Sequence, residues 1–293
     1  MCGTASVDSG AITGAYYDSN YTEHGFLRAS DGTITTFDAP GATSTFANSI
    51  VRGRIVGYYS DSNYADHGFV RAVDGTITTF DVAGSVGTFA GSLNSAGEIA
   101  GDYEDVNYYV HGFLRAPDGT ITSFDVPDSI QTFAGDINAG GAITASYQDT
   151  SGYVHGFVRA TDGTITTFDP AGSSYTQPIS INKYGVIAGY YYDSNTVFHG
   201  FVRAVDGTIT TFDVSGSVNT SAFGIDNQGN IVGYYDDSNL VTHGFERHAD
   251  GTIKTIDIKG ANAVLPDSIN KRVITGNYGD SNNVSHGFIK SPR

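Results

Sequence analysis

Histidine and aspartate recur together along this chain, in a pattern that can support acid–base chemistry or metal binding. Each of seven histidines is followed by Gly-Phe and is preceded, six residues earlier, by an aspartate. The histidines are His24, His67, His111, His155, His199, His243 and His286, and the aspartates are Asp18, Asp61, Asp105, Asp149, Asp193, Asp237 and Asp280. A catalytic site does not need sevenfold repetition. We therefore interpret each pair as a buried imidazole held by a carboxylate that also accepts hydrogen bonds from loop amides.

The loops that contain these aspartates, mostly Asp-Ser-Asn, also offer oxygen ligands to calcium. Each loop supplies one certain carboxylate, whereas Ca²⁺ takes about six to eight oxygens, so calcium is an alternative and not the main expectation. No other cofactor or metal is expected, because the sequence has no Cys/His cluster, phosphate loop or dinucleotide fingerprint.

The elements that position these residues follow from the period of the pattern, which is 43 or 44 residues. Such a period indicates an array of one supersecondary unit. In the second unit, β-branched and aromatic residues predict strands at 45–50, 55–59, 67–71 and 76–81, with a two-residue hairpin turn at Asp74-Gly75. Phe69 and Val70 are adjacent and both apolar, so both faces of the unit should be covered, as in a propeller blade.

We therefore predict an all-β fold: a seven-bladed β-propeller with four antiparallel strands per blade, forming a single domain over residues 1–293. A leucine-rich or β-helical solenoid fits less well. Its units are shorter, and their strands stack in parallel and seldom contain Asp-Gly hairpins.

The last blade differs from the others. The fourth strand occurs six times, at 33–38, 76–81, 120–125, 164–169, 208–213 and 252–257, whereas the third occurs seven times. The sequence stops soon after Phe288, so we expect the last blade to lack its outer strand. An unpaired strand edge pairs readily with another chain, and this predicts a homodimer mediated by that edge.

The repeated unit can be written Ser-Ile-Asn-x-x-Gly-x-Ile-x-Gly-x-Tyr-x-Asp-Ser-Asn, followed by His-Gly-Phe-x-Arg-x-x-Asp-Gly-Thr-Ile-Thr-Thr-Phe-Asp. It resembles the HAF-type repeats of bacterial extracellular proteins, with Gly in place of the middle Ala, over essentially the whole chain. The resemblance implies a protein that is secreted or held in the bacterial cell envelope, with a leader that this sequence does not contain. It implies no particular activity, because the family has no uniform one.

Composition excludes some partners. The formal charge of −16 argues against nucleic-acid binding, which requires clustered Lys and Arg. No run approaches the ~20 apolar residues of a membrane-spanning helix, so we expect no membrane span. Much of the acidity is repeated turn chemistry. Arg71 and its repeats are expected on the outer surface, paired with aspartates at strand ends.

Positions at which the units differ are the candidate ligand contacts. The loops between second and third strands carry aromatic residues on one rim, namely Tyr21, Tyr64, Tyr108, Tyr109, Tyr153 and Phe198. Exposed tyrosines beside Asp and Asn suit carbohydrate, since the rings stack on sugar faces, although packing within the loops would give the same pattern. The innermost strands and their turns add Asp136, Tyr175, Lys183 and Asp267, which we expect in a central funnel.

Three classes of function therefore stay open. The first, which we favour, is an extracellular binding protein that recognises glycans through its rim loops, with multivalency increasing weak affinities. The second is a polysaccharide lyase or hydrolase with its site in the funnel, so enzymatic activity is neither predicted nor excluded. The third is a scaffold for protein partners.

Overall fold

The computed structural model describes residues 6–8 and 10–291 and shows an all-β fold, with no helix among these residues. Turns rich in Gly, Asp and Asn separate short runs of β-branched and aromatic residues, a pattern that favours strands. Consecutive strands pair in antiparallel order within seven repeated units, and we number the strands β1 to β27 along the chain.

The first three units contain twelve strands. Unit 1 consists of β1 (Ser6–Asp8), β2 (Ala11–Tyr17), β3 (Glu23–Arg28) and β4 (Ile34–Phe37). Unit 2 consists of β5 (Ser44–Val51), β6 (Arg54–Ser60), β7 (Asp66–Arg71) and β8 (Ile77–Phe80). Unit 3 consists of β9 (Gly87–Leu93), β10 (Ile99–Glu104), β11 (Val110–Arg115) and β12 (Ile121–Phe124).

The next three units repeat this order. Unit 4 consists of β13 (Ser129–Ile137), β14 (Ile143–Asp149), β15 (Val154–Arg159) and β16 (Ile165–Phe168). Unit 5 consists of β17 (Tyr175–Ile181), β18 (Ile187–Tyr192), β19 (Phe198–Arg203) and β20 (Ile209–Phe212). Unit 6 consists of β21 (Asn219–Ile225), β22 (Ile231–Asp236), β23 (Thr242–Arg247) and β24 (Ile253–Ile256).

Unit 7 consists of β25 (Ala261–Asn270), β26 (Val273–Asp280) and β27 (Ser285–Lys290), and within the described residues it has no fourth strand. Strand β27 is therefore an edge that pairs on one side only, with β26. At the other end of the array, β1 lies beside β25, so the first and last units are in contact.

The register of unit 2 is typical of the repeat. Tyr59 lies opposite His67 in the β6–β7 pair, and Gly68 lies opposite Phe80 in the β7–β8 pair. The turn between β7 and β8 is wider than the two-residue hairpin predicted from Asp-Gly, because Ala72 N donates to Thr76 O at 2.8 Å. Gly75 adopts a φ of 92° there, a conformation that favours glycine.

The core lies between units. A phenylalanine at the end of one fourth strand packs edge-to-face on the third-strand phenylalanine of the next unit, as Phe80 does on Phe113 with ring centroids 6.2 Å apart. The guanidinium of Arg115 also lies over the Phe80 ring, 4.7 Å from its centroid. The prediction that these arginines pair with strand-end aspartates was therefore wrong. Each of Arg71, Arg115, Arg159, Arg203 and Arg247 stacks on a phenylalanine of the preceding unit.

The described residues contain no helix that is long and apolar enough to cross a membrane.

Candidate functional site

The loops between second and third strands are organised by their aspartates. In unit 2, Asp61 Oδ1 accepts hydrogen bonds from Asn63 N at 2.8 Å and Ala65 N at 3.0 Å, while its Oδ2 accepts one from Asn63 Nδ2 at 3.2 Å. These bonds hold the pKa of Asp61 below its ordinary value, the largest cause being the bond from the Ala65 amide. As predicted, the aspartate satisfies loop amides.

The next residue of each such loop is turned outward. Tyr64 has a φ of 63° and an exposed fraction of 91%. Tyr21 and Tyr108 occupy the same position in units 1 and 3, with φ of 62° and 63° and exposed fractions of 86% and 72%. The left-handed conformation belongs to the repeated turn, because Thr196, Leu240 and Asn283 also adopt it at this position. Packing within the loop does not account for these rings, because they lie almost entirely in solvent.

Among the described loops between second and third strands, only those of units 1 to 4 carry exposed aromatic residues. Tyr109 and Tyr153 are the two other exposed rings of these loops, at 50% and 56%. The left-handed position is taken in units 5 to 7 by non-aromatic residues: Thr196, Leu240 and Asn283. The platform tyrosines, as we call Tyr21, Tyr64, Tyr108, Tyr109 and Tyr153, therefore mark one part of the rim.

Two of the predicted contacts lie elsewhere. Phe198 is half-buried against Tyr192, with ring centroids 4.2 Å apart, and Tyr175 stacks on the same Tyr192 at 4.6 Å. Tyr190 joins this cluster, and burial raises its pKa. The structure thus separates Phe198 and Tyr175 from the platform tyrosines and places them in an aromatic cluster of unit 5.

The repeated histidines have a partner that the sequence analysis missed. His67 Nδ1 lies 3.0 Å from a carboxylate oxygen of Asp81, at the end of the fourth strand, whereas its Nε2 lies 3.8 Å from Asp61. Five other units share this arrangement, with Asp38, Asp125, Asp169, Asp213 and Asp257 as the nearer partners. The signal was available, since these aspartates follow each histidine by fourteen residues.

The histidines are also less buried than predicted. His67 has a side-chain exposed fraction of 26%, and its ring packs on Tyr59 with centroids 5.0 Å apart. In unit 1, the hydrogen bond with Asp38 is the largest factor that raises the pKa of His24. An imidazole between two carboxylates recurs in six of the described units, which fits a role in holding the third strand to its neighbours.

A cavity of about 290 Å³ opens where the turns between first and second strands meet. Asp136 and Lys183 both line it. Asp136 accepts hydrogen bonds from Ser92 Oγ at 2.7 Å, Ser180 Oγ at 3.1 Å and Ile181 N at 3.0 Å. It therefore joins three units, and its burial raises its pKa.

The other predicted funnel residues are not part of this cavity. Asp267 lies beside Asn277, whose Nδ2 donates to Asp267 Oδ2 at 3.3 Å, and Tyr175 belongs to the aromatic cluster already described. Burial raises the pKa of Asp267 to about 7. Asp102, which the sequence analysis did not single out, has its pKa raised to about 7 by burial as well.

A metal centre is not assembled within residues 6–8 and 10–291. No group of three or more His, Cys, Asp or Glu side chains is placed there to hold a metal ion. In the Asp-Ser-Asn loops the carboxylate oxygens already accept hydrogen bonds from the loop itself.

Comparison with known proteins establishes the fold. No protein-family model and no curated sequence matches the chain. Virginiamycin B lyase from Staphylococcus aureus superposes with a TM-score of 0.64 at 15% identity, over 99% of this chain and 95% of that one. The β-propeller domain of the Trilobed protease from Pyrococcus furiosus superposes with a TM-score of 0.68 at 8% identity, over 100% and 95% of the two chains.

A fungal lectin is also similar. The six-bladed β-propeller lectin of Aleuria aurantia, which recognises fucose, superposes with a TM-score of 0.50 at 14% identity, over 86% of this chain and 93% of that one. At these identities the similarity supports a β-propeller architecture and carries no activity to this chain.

Proposed function

We propose that the chain is an extracellular binding protein that recognises glycans through the platform tyrosines of units 1 to 4. The observation that carries the proposal is the exposure of Tyr21, Tyr64 and Tyr108, whose rings lie in solvent at the same loop position of three consecutive units. We also propose that the seven units close into a seven-bladed ring. The contact of β1 in unit 1 with β25 in unit 7 supports this closure.

The chemistry around each ring suits a sugar. An exposed Asn precedes each of Tyr21, Tyr64 and Tyr108, and its amide is oriented by the loop aspartate, as Asn63 is by Asp61. A sugar bound face-on to Tyr64 would find amide donors and acceptors at its hydroxyl groups. Similar loops in consecutive units would allow one polysaccharide to engage several sites, which increases affinity without new contacts. The resemblance to HAF-type repeats supports a secreted or cell-envelope location.

The test is a glycan array followed by calorimetry on the best ligand, with the protein as a full chain. We expect Tyr21→Ala and Tyr64→Ala each to weaken binding, and the double variant to weaken it by more than about tenfold. Tyr184→Ala is the matched control, because Tyr184 is 61% exposed but lies in the turn between β17 and β18, at the other end of the strands.

Two outcomes would count against this function. An array without specific binding, or binding that Tyr184→Ala weakens as much as Tyr64→Ala does, would contradict recognition by the platform tyrosines. A comparison of calcium with a chelator completes the experiment, since loss of binding in the chelator would assign the Asp-Ser-Asn loops to Ca²⁺.

A polysaccharide lyase or hydrolase is the second candidate. Asp102 and Asp267 favour it, because a carboxyl group with a pKa of about 7 is suited to donate a proton near neutral pH. Incubation with acidic and neutral polysaccharides would reveal new reducing ends or unsaturated products. Activity that survives both Asp102→Asn and Asp267→Asn would contradict the roles of these two groups.

A further inference from the structure

The boundary between the last and first units contains a cavity of about 650 Å³. Ile12, Phe26 and Ile34 line it from unit 1, and Phe288 and Ile289 line it from unit 7. The lining is largely apolar, and the cavity lies along the free edge of β27. This site is distinct from the rim loops and from the glycan-binding function proposed for them.

The other boundaries show what fills the equivalent space. A fourth-strand phenylalanine packs there on the third-strand phenylalanine of the next unit, with centroids 6.0 to 6.3 Å apart in five boundaries. An arginine of the next unit covers the same ring at 4.7 to 4.9 Å. In unit 1, Phe26 and Arg28 occupy these two positions and line the cavity instead.

The glycines of the third strands show that the space beside β27 is open. A Cβ at Gly25, Gly68, Gly112, Gly156 or Gly200 would lie 2.5 to 2.9 Å from the ring of the fourth-strand phenylalanine in its own unit. At Gly287 such a Cβ meets nothing within 4 Å. Glycine at this position therefore makes room for a ring in five units, and in unit 7 the room is present without the ring.

The hydrogen bonding of His286 differs from that of the other six repeated histidines. In six units the histidine Nδ1 lies 2.7 to 3.0 Å from the aspartate that follows the fourth strand. The carboxylate near His286 within the described chain is Asp280, which faces Nε2 at 3.2 Å. The side chain of His286 is 41% exposed, compared with 22 to 26% in the other units.

We propose that the edge of β27 and this cavity form a binding site for an extended peptide segment of the fourth-strand type, Ile-Thr-Thr-Phe-Asp. The segment adds to the sheet by backbone hydrogen bonds to β27, in the register that β8 has on β7. Its phenylalanine lies over Gly287, packs on Phe26 and is covered by Arg28. Its aspartate accepts a hydrogen bond from His286 Nδ1.

The test uses a labelled peptide with the sequence of residues 74–82, Asp-Gly-Thr-Ile-Thr-Thr-Phe-Asp-Val, added to the full chain. We expect saturable binding by fluorescence anisotropy and slower hydrogen exchange of the β27 amides. Replacing the peptide's phenylalanine by alanine should weaken binding by at least about tenfold, because the ring supplies most of the buried apolar contact.

Variants of the protein locate the site. Gly287→Val should abolish peptide binding by filling the space of the incoming ring, and it should fold, since that space is open. Tyr64→Ala should leave peptide binding unchanged, so failure of this proposal and failure of glycan recognition are distinguishable.

Three results would overturn the proposal. The first is the absence of binding at about 1 mM peptide, a concentration that would detect even a weak complex. The second is equal binding of the peptide in which alanine replaces phenylalanine. The third is a dimer of the protein that the peptide does not dissociate. The last result would assign the β27 edge to a second copy of the chain, as the sequence predicted.

Discussion

Lys290 Nζ donates a hydrogen bond of 2.7 Å to Glu246 Oε2 and thereby joins β27 to β23 of the preceding unit. Three features of the repeat change together at this boundary. Ile256 replaces the fourth-strand phenylalanine, so a cation has no aromatic ring to cover. Lys290 replaces the arginine, and Glu246 replaces the apolar residue found as Val70, Leu114, Val158 and Val202. An ion pair thus takes the place of a cation–π contact.

Lys290→Met should reduce the free energy of unfolding by about 1–3 kcal/mol, because it leaves the carboxylate of Glu246, whose side chain is only 5% exposed, without its nearest cation. Glu246→Val should be nearly neutral, since the other units have an apolar residue there. In urea denaturation the double variant should therefore be more stable than Lys290→Met alone. Simple additivity of the two changes would show that the pair is not coupled.

Gly112→Ala should destabilise the protein by about 1–3 kcal/mol, because the new Cβ would lie 2.5 Å from the ring of Phe124 and would force the packing apart. Gly287→Ala is the matched change at the same position of unit 7, where the Cβ meets nothing, and it should be tolerated. Thermal unfolding of the two variants makes the comparison. Equal losses would mean that the ring does not determine the need for glycine.

Asp267→Asn should change how stability depends on pH. Burial raises the pKa of Asp267 to about 7 from an ordinary 3.8, so between these values the folded protein keeps a proton that the unfolded chain has released. Stability from this group therefore falls as pH rises from about 4 to 7. The asparagine variant lacks this loss and should gain roughly 4 kcal/mol relative to the parent on going from pH 4 to pH 8, since each unit of pKa shift corresponds to about 1.4 kcal/mol.

Asp61→Asn is the control for that measurement, because the pKa of Asp61 is lowered and its contribution has the opposite sign. Its effect should be present at neutral pH and should disappear as the solution is acidified below about 4. Parallel pH profiles for Asp267→Asn and the parent would contradict the assignment.

Asp38→Asn should lower the pKa of His24, since the hydrogen bond with Asp38 is the main cause that raises it. Asp18→Asn should lower it less, because Asp18 lies 3.8 Å from the imidazole. Asp18→Asn should instead loosen the loop, where Asp18 Oδ1 accepts hydrogen bonds from Asn20 N and Thr22 N. Proton NMR titration of the histidine separates the two effects, and a larger pKa change in Asp18→Asn would reverse the assigned roles.

The strands of the unit could be read from the sequence with good accuracy. The predicted range 67–71 became Asp66–Arg71, and 76–81 became Ile77–Phe80. Turn residues and β-branched runs are local signals, so they specify where a strand begins and ends without reference to the rest of the fold. The exposed position of Tyr21 and Tyr64 was also predicted from the loop sequence and is observed.

Contacts between elements could not be read in the same way. Both Asp61 and Asp81 have a fixed spacing from His67, and only the register of β7 on β8, which sets Gly68 opposite Phe80, brings Asp81 closer. The position of Arg71 over Phe37 depends on how one unit stacks on the next. The sequence pattern within a single unit does not specify that stacking.

The sequence by itself therefore determined the repeated all-β unit, its turns and the loops that carry the tyrosines, because these depend on interactions between residues close in the chain. The tertiary structure decided which carboxylate each imidazole faces, that Phe198 and Tyr175 pack on Tyr192, and at which boundary between units a ring is missing. Those features depend on the packing of units about 44 residues apart, as in the 44-residue separation between Lys290 and Glu246. Such packing is fixed by register and shape, and periodicity alone does not encode it.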